Sequence, residues 1–180
     1  MTAKGSGKTA WSIPVRRDDV PDTGLHLDLA ADAASRAAVA TLAGVREIAR
    51  LEASFDVTRQ GSGLRVAGEV RASVGQTCVV TLEPIASEIN EPVDLVFRPP
   101  GATVHASDAA HDLDPAAEDE PELLVDGTAD LGAAATEFLL LAIDPYPRKP
   151  GVIFEAPASG DAGAHPFAAL EALKKKPGSG

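Results

Sequence analysis

The stretch Gly7-Lys8-Thr9 has the residue types that end a phosphate-binding P-loop, whose backbone N–H groups and lysine hold a nucleotide. The first glycine of that motif would fall at position 2, which is Thr2. The motif also requires a helix directly after it, and Pro14 is incompatible with a helix interior. We therefore expect residues 1–10 to be a disordered N-terminus, with a nucleotide-binding enzyme that uses GSGKT as an alternative.

Cys78 is the only cysteine, which excludes an internal disulfide and a zinc site made of several cysteines. A catalytic thiol needs a basic partner, and no histidine lies near Cys78 in sequence. A lone cysteine in an apolar run is typically a small core residue, so we expect a structural role. A thiol or metal site at Cys78 remains an alternative.

His105 and His111 lie among aspartates, but their spacing does not match a known ligand pattern. We therefore predict no catalytic residue, no cofactor-binding residue and no metal ligand. The protein is expected not to be an enzyme.

The segment "PYPRKP" (145–150) combines Tyr146, Arg148 and Lys149 with three prolines. A stiff segment loses little entropy on binding, and tyrosine with arginine is a frequent pair at binding hot spots. These three residues are candidates for partner binding, and a connector that wraps the core is the alternative.

The net charge of −11 is concentrated in one third of the chain. Between Pro99 and Pro147 there is no lysine or arginine, and this stretch holds 11 of the 27 acidic residues. A solvated loop is the simplest interpretation, but an acidic segment also attracts basic partners and repels nucleic acid. We select Asp119, Glu120 and Glu122 as candidate contacts for a basic partner.

The hydrophobic pattern predicts a mixture of strands and helices. Alternation predicts strands over about 24–30, 49–60, 64–74 and 87–97, and "QGSG" (60–63) predicts a hairpin turn. Capping residues predict helices over 32–43 and 130–144. Runs of antiparallel strands with helices between and after them indicate an α+β fold, mainly an antiparallel sheet or a partly open barrel packed with two or three helices.

The predicted organisation is a single α+β domain over 11–155 with an acidic loop over 101–121. A linker over 156–164, an amphipathic helix over 165–176 and a tail over 177–180 follow. We expect a cytoplasmic protein, because no apolar run is long enough to cross a bilayer and the N-terminus does not resemble a signal peptide.

Two segments, "QTCVVTLEP" (76–84) and "LAIDPYPRKPG" (141–151), resemble the YceD family of large ribosomal RNA subunit accumulation proteins. "VAGEV" (66–70) and "HPFAALEALKK" (165–175) strengthen the resemblance, because all four pieces occur in the family's order. The residues that carry the motif are Gln76, Cys78, Thr81, Leu82, Glu83, Pro84, Asp144, Pro145 and Pro147.

The resemblance implies a cytoplasmic protein linked to accumulation of large-subunit ribosomal RNA, with no established reaction. Many members have a second cysteine three residues after the first, where this chain has Thr81. This departure argues against a metal or redox role for such a pair.

The expected function is that of a non-enzymatic factor in large ribosomal subunit biogenesis. Its expected partner is a basic ribosomal protein or a pre-ribosomal particle, with a possible contact to ribosomal RNA through Arg148, Lys149 and 174–176. We expect no DNA or membrane partner.

Overall fold

The computed structural model describes residues 9–100 and 121–154. The described strands and helices are β1 (Pro14–Arg16), β2 (Leu25–Ala30), α1 (Ala33–Ala43), β3 (Glu47–Gln60), β4 (Gly63–Thr77), β5 (Pro84–Arg98), β6 (Glu122–Leu123), β7 (Thr128–Asp130) and α2 (Leu131–Ala142). A short 3-10 turn (Arg17–Asp19) follows β1.

The main sheet has five strands in the order β2-β3-β4-β5-β6. Its first four strands are antiparallel neighbours, and β6 pairs in parallel with the end of β5. β1 and β7 form a separate antiparallel pair. The predicted α+β class is confirmed, and the sheet is open rather than closed into a barrel.

Alternating hydrophobicity places one face of the sheet in the core. Buried side chains alternate with exposed or half-buried ones along β3 and β4, and the register shifts once, between Ile48 and Arg50. The predicted hairpin turn is present, because Gln60 pairs with Gly63. The strands extend further than predicted, because the ladder pairing continues to Glu47, Thr77 and Pro84.

Gly68 lies at the centre of this packing, opposite Phe55 on β3. A Cβ atom at this position would lie 1.9 Å from the carbonyl oxygen of Ser54 and 3.0 Å from the Phe55 ring. Only glycine therefore allows the close approach of these two backbones at this position.

Two capped helices cover the core face. Asp32 accepts a hydrogen bond from Ser35 N–H at 2.7 Å at the start of α1, and left-handed Gly44 ends that helix. Asp130 caps α2 and also accepts from Ile13 N–H at 2.8 Å, which ties the helix to the chain before β1. α1 packs on β3, whereas α2 packs on β4 and β5.

The chain divides into two compact units, residues 1–149 and residues 150–180. Of the second unit, the structure describes residues 150–154, which contain a turn and no strand. Neither of the described helices has the length and hydrophobicity that crossing a bilayer requires.

Candidate functional site

The turn between β4 and β5 is held by its own backbone. Cys78 N–H donates to the Glu83 carbonyl at 2.9 Å, and Leu82 N–H donates to the Cys78 carbonyl at 2.9 Å. Leu82 has a left-handed φ of 59°, which bulky residues rarely adopt. Residues 78–82 therefore form a strained turn.

The segment after α2 docks on this turn. The Asp144 carboxylate accepts from Tyr146 N–H at 2.8 Å and so bends the chain directly after the helix. The Gln76 side-chain amide donates to the Asp144 carbonyl at 2.8 Å, and Val79 N–H donates to the Pro147 carbonyl at 2.9 Å. Two segments more than 60 residues apart in sequence thus form one site.

The sulfur of Cys78 lies at the junction of these segments and is fully buried. It accepts hydrogen bonds from Thr81 N–H at 3.4 Å and from Lys149 N–H at 3.3 Å. Hydrogen bonds from the Thr81 hydroxyl and from the Lys149 and Thr81 backbone lower the pKa of the thiol from 9.0 to about 6, against the opposing effect of burial. Thr81 occupies the position at which many members of the resembled family have a second cysteine, and here it donates a hydroxyl hydrogen bond to the sulfur of Cys78.

An ion pair joins the same two segments at the surface. Lys149 Nζ lies 2.9 Å from Glu83 Oε2. The hydrogen bond and charge of Lys149 lower the pKa of Glu83, and Glu83 raises the pKa of Lys149 in the same way. The Lys149 backbone holds the buried sulfur while its side chain contacts the exposed carboxylate.

Several side chains of the site point outward. Leu82 is 75% exposed and Tyr146 is 71% exposed, while Pro147 between Tyr146 and Arg148 is buried. We define the motif surface as the exposed side chains of Val79, Leu82, Glu83, Tyr146, Arg148 and Lys149. Apolar, aromatic and charged groups on a backbone fixed by hydrogen bonds are suited to contact with another macromolecule.

The motif residues from both segments, Gln76 to Pro84 and Asp144 to Pro147, lie together at this site. Of the predicted partner-binding residues, Tyr146, Arg148 and Lys149 are also here. Glu122 is not, because β6 pairs with the far end of β5, about 40 Å along the strand from the turn. Asp119 and Glu120 lie outside the described residues.

The alternative sites receive little structural support. The described residues after the GKT stretch, 9–16, contain no helix that could complete a P-loop, and Lys8 itself lies outside the described part. Within residues 9–100 and 121–154, no three His, Cys, Asp or Glu side chains are grouped closely enough to hold a metal ion. His105 and His111 lie outside these ranges.

The sequence reasoning missed one group of residue types on the open face of the sheet. His26 Nδ1 donates to Asp56 Oδ1 at 2.7 Å, and His26 Nε2 lies 3.5 Å from Ser54 Oγ. These three residue types also form the triad of serine hydrolases. Only the pairing of β2 with β3 brings them together, since they are spread over 30 residues of sequence.

The geometry of this group does not match a working triad. Ser54 Oγ donates to Asp28 at 2.9 Å rather than to the imidazole. Asp56, and secondarily Asp28, raise the pKa of His26, which favours the protonated ring that cannot act as a base. The side chains are also largely exposed to water. This group is a surface ion-pair network.

Together these features define an α+β protein with an open sheet, in which a strand-connecting turn is tied to a proline-rich segment. The model of the family described as large ribosomal RNA subunit accumulation protein YceD matches residues 66–174. The match covers more than half of the chain, and the chain belongs to this family. No curated protein and no solved structure matched the chain.

The resemblance recognised in the sequence is therefore confirmed. The match includes both segments of the site and begins within β4, so the elements from β1 to β3 precede it. The family name is consistent with a role in ribosome biogenesis.

Proposed function

We propose that the protein is a non-enzymatic factor in large ribosomal subunit biogenesis. In this proposal it binds a basic ribosomal protein, free or within a pre-ribosomal particle, through the motif surface. Such a role belongs in the cytoplasm and requires neither DNA nor a membrane. Membership in the family supports the process, and the geometry of the site supports binding rather than catalysis.

One observation carries the proposal. Hydrogen bonds hold the two motif segments together, and neither segment presents a reacting group to solvent. The hydrogen bonds of Gln76, Val79 and Cys78 end on groups of the other segment. The group with the most reactive character, the Cys78 thiol, is fully buried and serves as an acceptor inside the site. What reaches solvent is Tyr146 with its charged neighbours.

A protein partner is favoured over direct contact with RNA because the chain carries a net charge of −11. A basic protein is attracted to such a chain, whereas a phosphate backbone is repelled by most of it. Contact with ribosomal RNA at Arg148 and Lys149 is the competing outcome that the experiment must separate.

The test is affinity purification of the full chain at moderate salt, with and without ribonuclease, followed by mass spectrometry. We expect a basic large-subunit ribosomal protein to be recovered in both cases. Tyr146→Ala should lose it. The double variant Arg148→Ala/Lys149→Ala removes two positive charges, so it should keep a basic protein and lose only a contact to RNA. Exposed Leu42→Ala on α1 and exposed Arg16→Ala on β1 are matched controls that should retain it.

If only ribosomal RNA is recovered, and the double variant no longer recovers it, the partner is RNA and the proposed protein partner is wrong. Recovery of no ribosomal component would refute the proposed function. Complementation of a deletion strain, scored by large-subunit ribosomal RNA level, gives the corresponding cellular readout for the same variants.

A further inference from the structure

Among the described residues, the outer edge of β5 is unpaired over most of its length. β5 pairs with β4 from Pro84 to Phe97, but on its other side only Phe97 and Arg98 pair, with β6. Among the residues that the structure describes, no strand lies beside residues 84–96 on that side. A strand edge of this length offers a row of backbone donors and acceptors to an added strand.

The direction of these backbone groups follows from the pairing. The Arg98 carbonyl accepts from Leu124 N–H at 2.8 Å, so Arg98 directs its polar backbone groups away from β4. The β4–β5 register runs without a shift, so every second residue before Arg98 does the same. The outward residues that have an N–H are Ala86, Glu88, Asn90, Asp94 and Val96, and among the described residues no strand pairs with them. Pro92 belongs to the same outward set, where its missing N–H costs no bond to β4.

The side chains along this edge alternate in character. On the core side, Ile85, Ile89 and Leu95 are half-buried, as are Ser87 and Glu91 between them. On the open face, Glu88, Asn90 and Asp94 are exposed. Glu88 and Asp94 also form ion pairs with Arg50 and Arg65, at 2.8 and 2.7 Å. An added strand would therefore meet a mainly apolar row that includes Glu91 on one face, and a polar row with two ion-paired carboxylates on the other. A segment with alternating apolar and basic residues has the matching pattern.

The charges near the β5 edge also favour a basic segment. On the open face of the sheet, seven carboxylates lie with four guanidinium groups: Asp28, Glu47, Glu52, Asp56, Glu69, Glu88 and Asp94 with Arg50, Arg65, Arg71 and Arg98. There is no lysine or arginine from Pro84 to Phe97 and none from Pro99 to Pro147. A second copy of the chain would bring an equally acidic edge against this one, and like charges across a strand pair are unfavourable.

We propose that the β5 edge between Ala86 and Val96 binds an extended, basic segment of a partner protein by strand addition. Backbone hydrogen bonds supply the affinity, and the alternation of apolar and acidic rows supplies the selectivity. This surface is separate from the motif surface, and the inference does not rest on the proposed function.

The experiment measures amide hydrogen exchange in the full chain by NMR. The probe is a short synthetic peptide of alternating lysine and valine, and the control probe alternates glutamate and valine. We expect exchange at the outward amides of Glu88 and Asn90 to slow by about tenfold or more with the basic peptide only. The amides of Ser87 and Ile89, which point to β4, should not change.

A variant with a matched control tests the backbone contribution. Asn90→Pro removes one outward N–H at an exposed position and should weaken peptide binding by about tenfold, the equivalent of one good hydrogen bond. Asn90→Ala removes the same side chain but keeps the N–H, and should bind like the unmodified chain. Urea unfolding checks that both variants fold.

The inference is overturned by equal binding of both variants, by equal protection with the acidic peptide, or by no protection at all. Slow exchange of the outward amides in the free chain would show that another segment or copy already covers the edge, which also overturns it. If Asn90→Pro does not fold, the exchange pattern of the unmodified chain decides alone. None of these outcomes affects the purification test of the proposed function.

Discussion

The side chain of Gln76 is expected to hold the proline-rich segment on β4. It is buried, with 7% of its surface exposed, and its amide donates to the Asp144 carbonyl at 2.8 Å. Gln76→Ala leaves a partly buried carbonyl without its donor, at a cost of about 1 kcal/mol. It also removes one packed methylene group, worth about 1 kcal/mol. The total, about 2 kcal/mol, corresponds to a loss of about 4–8 °C in Tm for a chain of this size.

Gln76→Glu separates the hydrogen bond from the packing, because the two side chains have the same shape. An ionised glutamate has no donor for the Asp144 carbonyl, whereas a protonated one restores an O–H donor. Burial beside a carbonyl raises the pKa of this glutamate in the folded state above its unfolded value. The variant should therefore match the unmodified chain at low pH and lose stability as pH rises from about 4.3 through the raised pKa.

The assay is urea unfolding of the unmodified chain and both variants across this pH range. Val74→Ala is the control, because Val74 is fully buried on the same face of β4 and its loss removes only apolar volume. Its effect should not depend on pH. If Gln76→Glu were as stable as the unmodified chain at neutral pH, the hydrogen bond to Asp144 would not contribute as we reason. Reduced partner recovery with Gln76→Ala would link this bond to function.

Three further predictions concern single residues. The free energy of unfolding of the unmodified chain should exceed that of Cys78→Ala by an amount that grows as pH rises from about 6 to 9.0. The reason is that the lowered pKa of the thiol makes the folded protein bind fewer protons than the unfolded one in this range. A difference in urea unfolding that does not change with pH would contradict this. Gly68→Ala should cost about 3 kcal/mol or prevent folding, because the new Cβ would lie 1.9 Å from a backbone oxygen. Gly75→Ala should cost less, because the new Cβ meets only the exposed side chain of Glu47, with Cγ at 2.7 Å, and that side chain can rotate away. Thermal unfolding of the two variants measures the difference. The raised pKa of His26 stabilises the fold below pH 6.5, and this contribution is lost as pH rises through the raised value. Asp56→Asn should return the pKa of His26 toward 6.5 in an NMR titration. An unchanged pKa would show that Asp56 is not the cause of the shift.

Much of the fold was predictable from local pattern. Alternation along 64–74 identified a strand with one buried face, and the caps Asp32 and Asp130 identified both helices. These signals are local, because strand and helix periodicities and capping bonds involve residues close in sequence. The extra length of β3, β4 and β5 was not predictable in this way, since it depends on pairing between strands.

The candidate site was predictable only as a set of residue types. The sequence identified "QTCVVTLEP" and "PYPRKP" as separate motifs and favoured a structural Cys78, and Asp119, Glu120 and Glu122 were selected for their charge alone. It contained no signal that Lys149 N–H would reach the sulfur of Cys78, or that Glu122 would lie at the other end of β5. His26, Ser54 and Asp56 were missed for the same reason, because strand register decides which distant side chains become neighbours.

The sequence by itself determined the α+β class, the positions of the main elements, the acidic character and membership in the YceD family. These properties depend on composition, periodicity and the order of motifs along the chain. Only the tertiary structure decided that the two motifs form one surface, that the Cys78 thiol is held as a buried acceptor, and that the edge of β5 is open among the described residues. The physical reason is that hydrogen bonds between distant segments, and the dielectric surroundings they create, arise from chain topology rather than from local sequence.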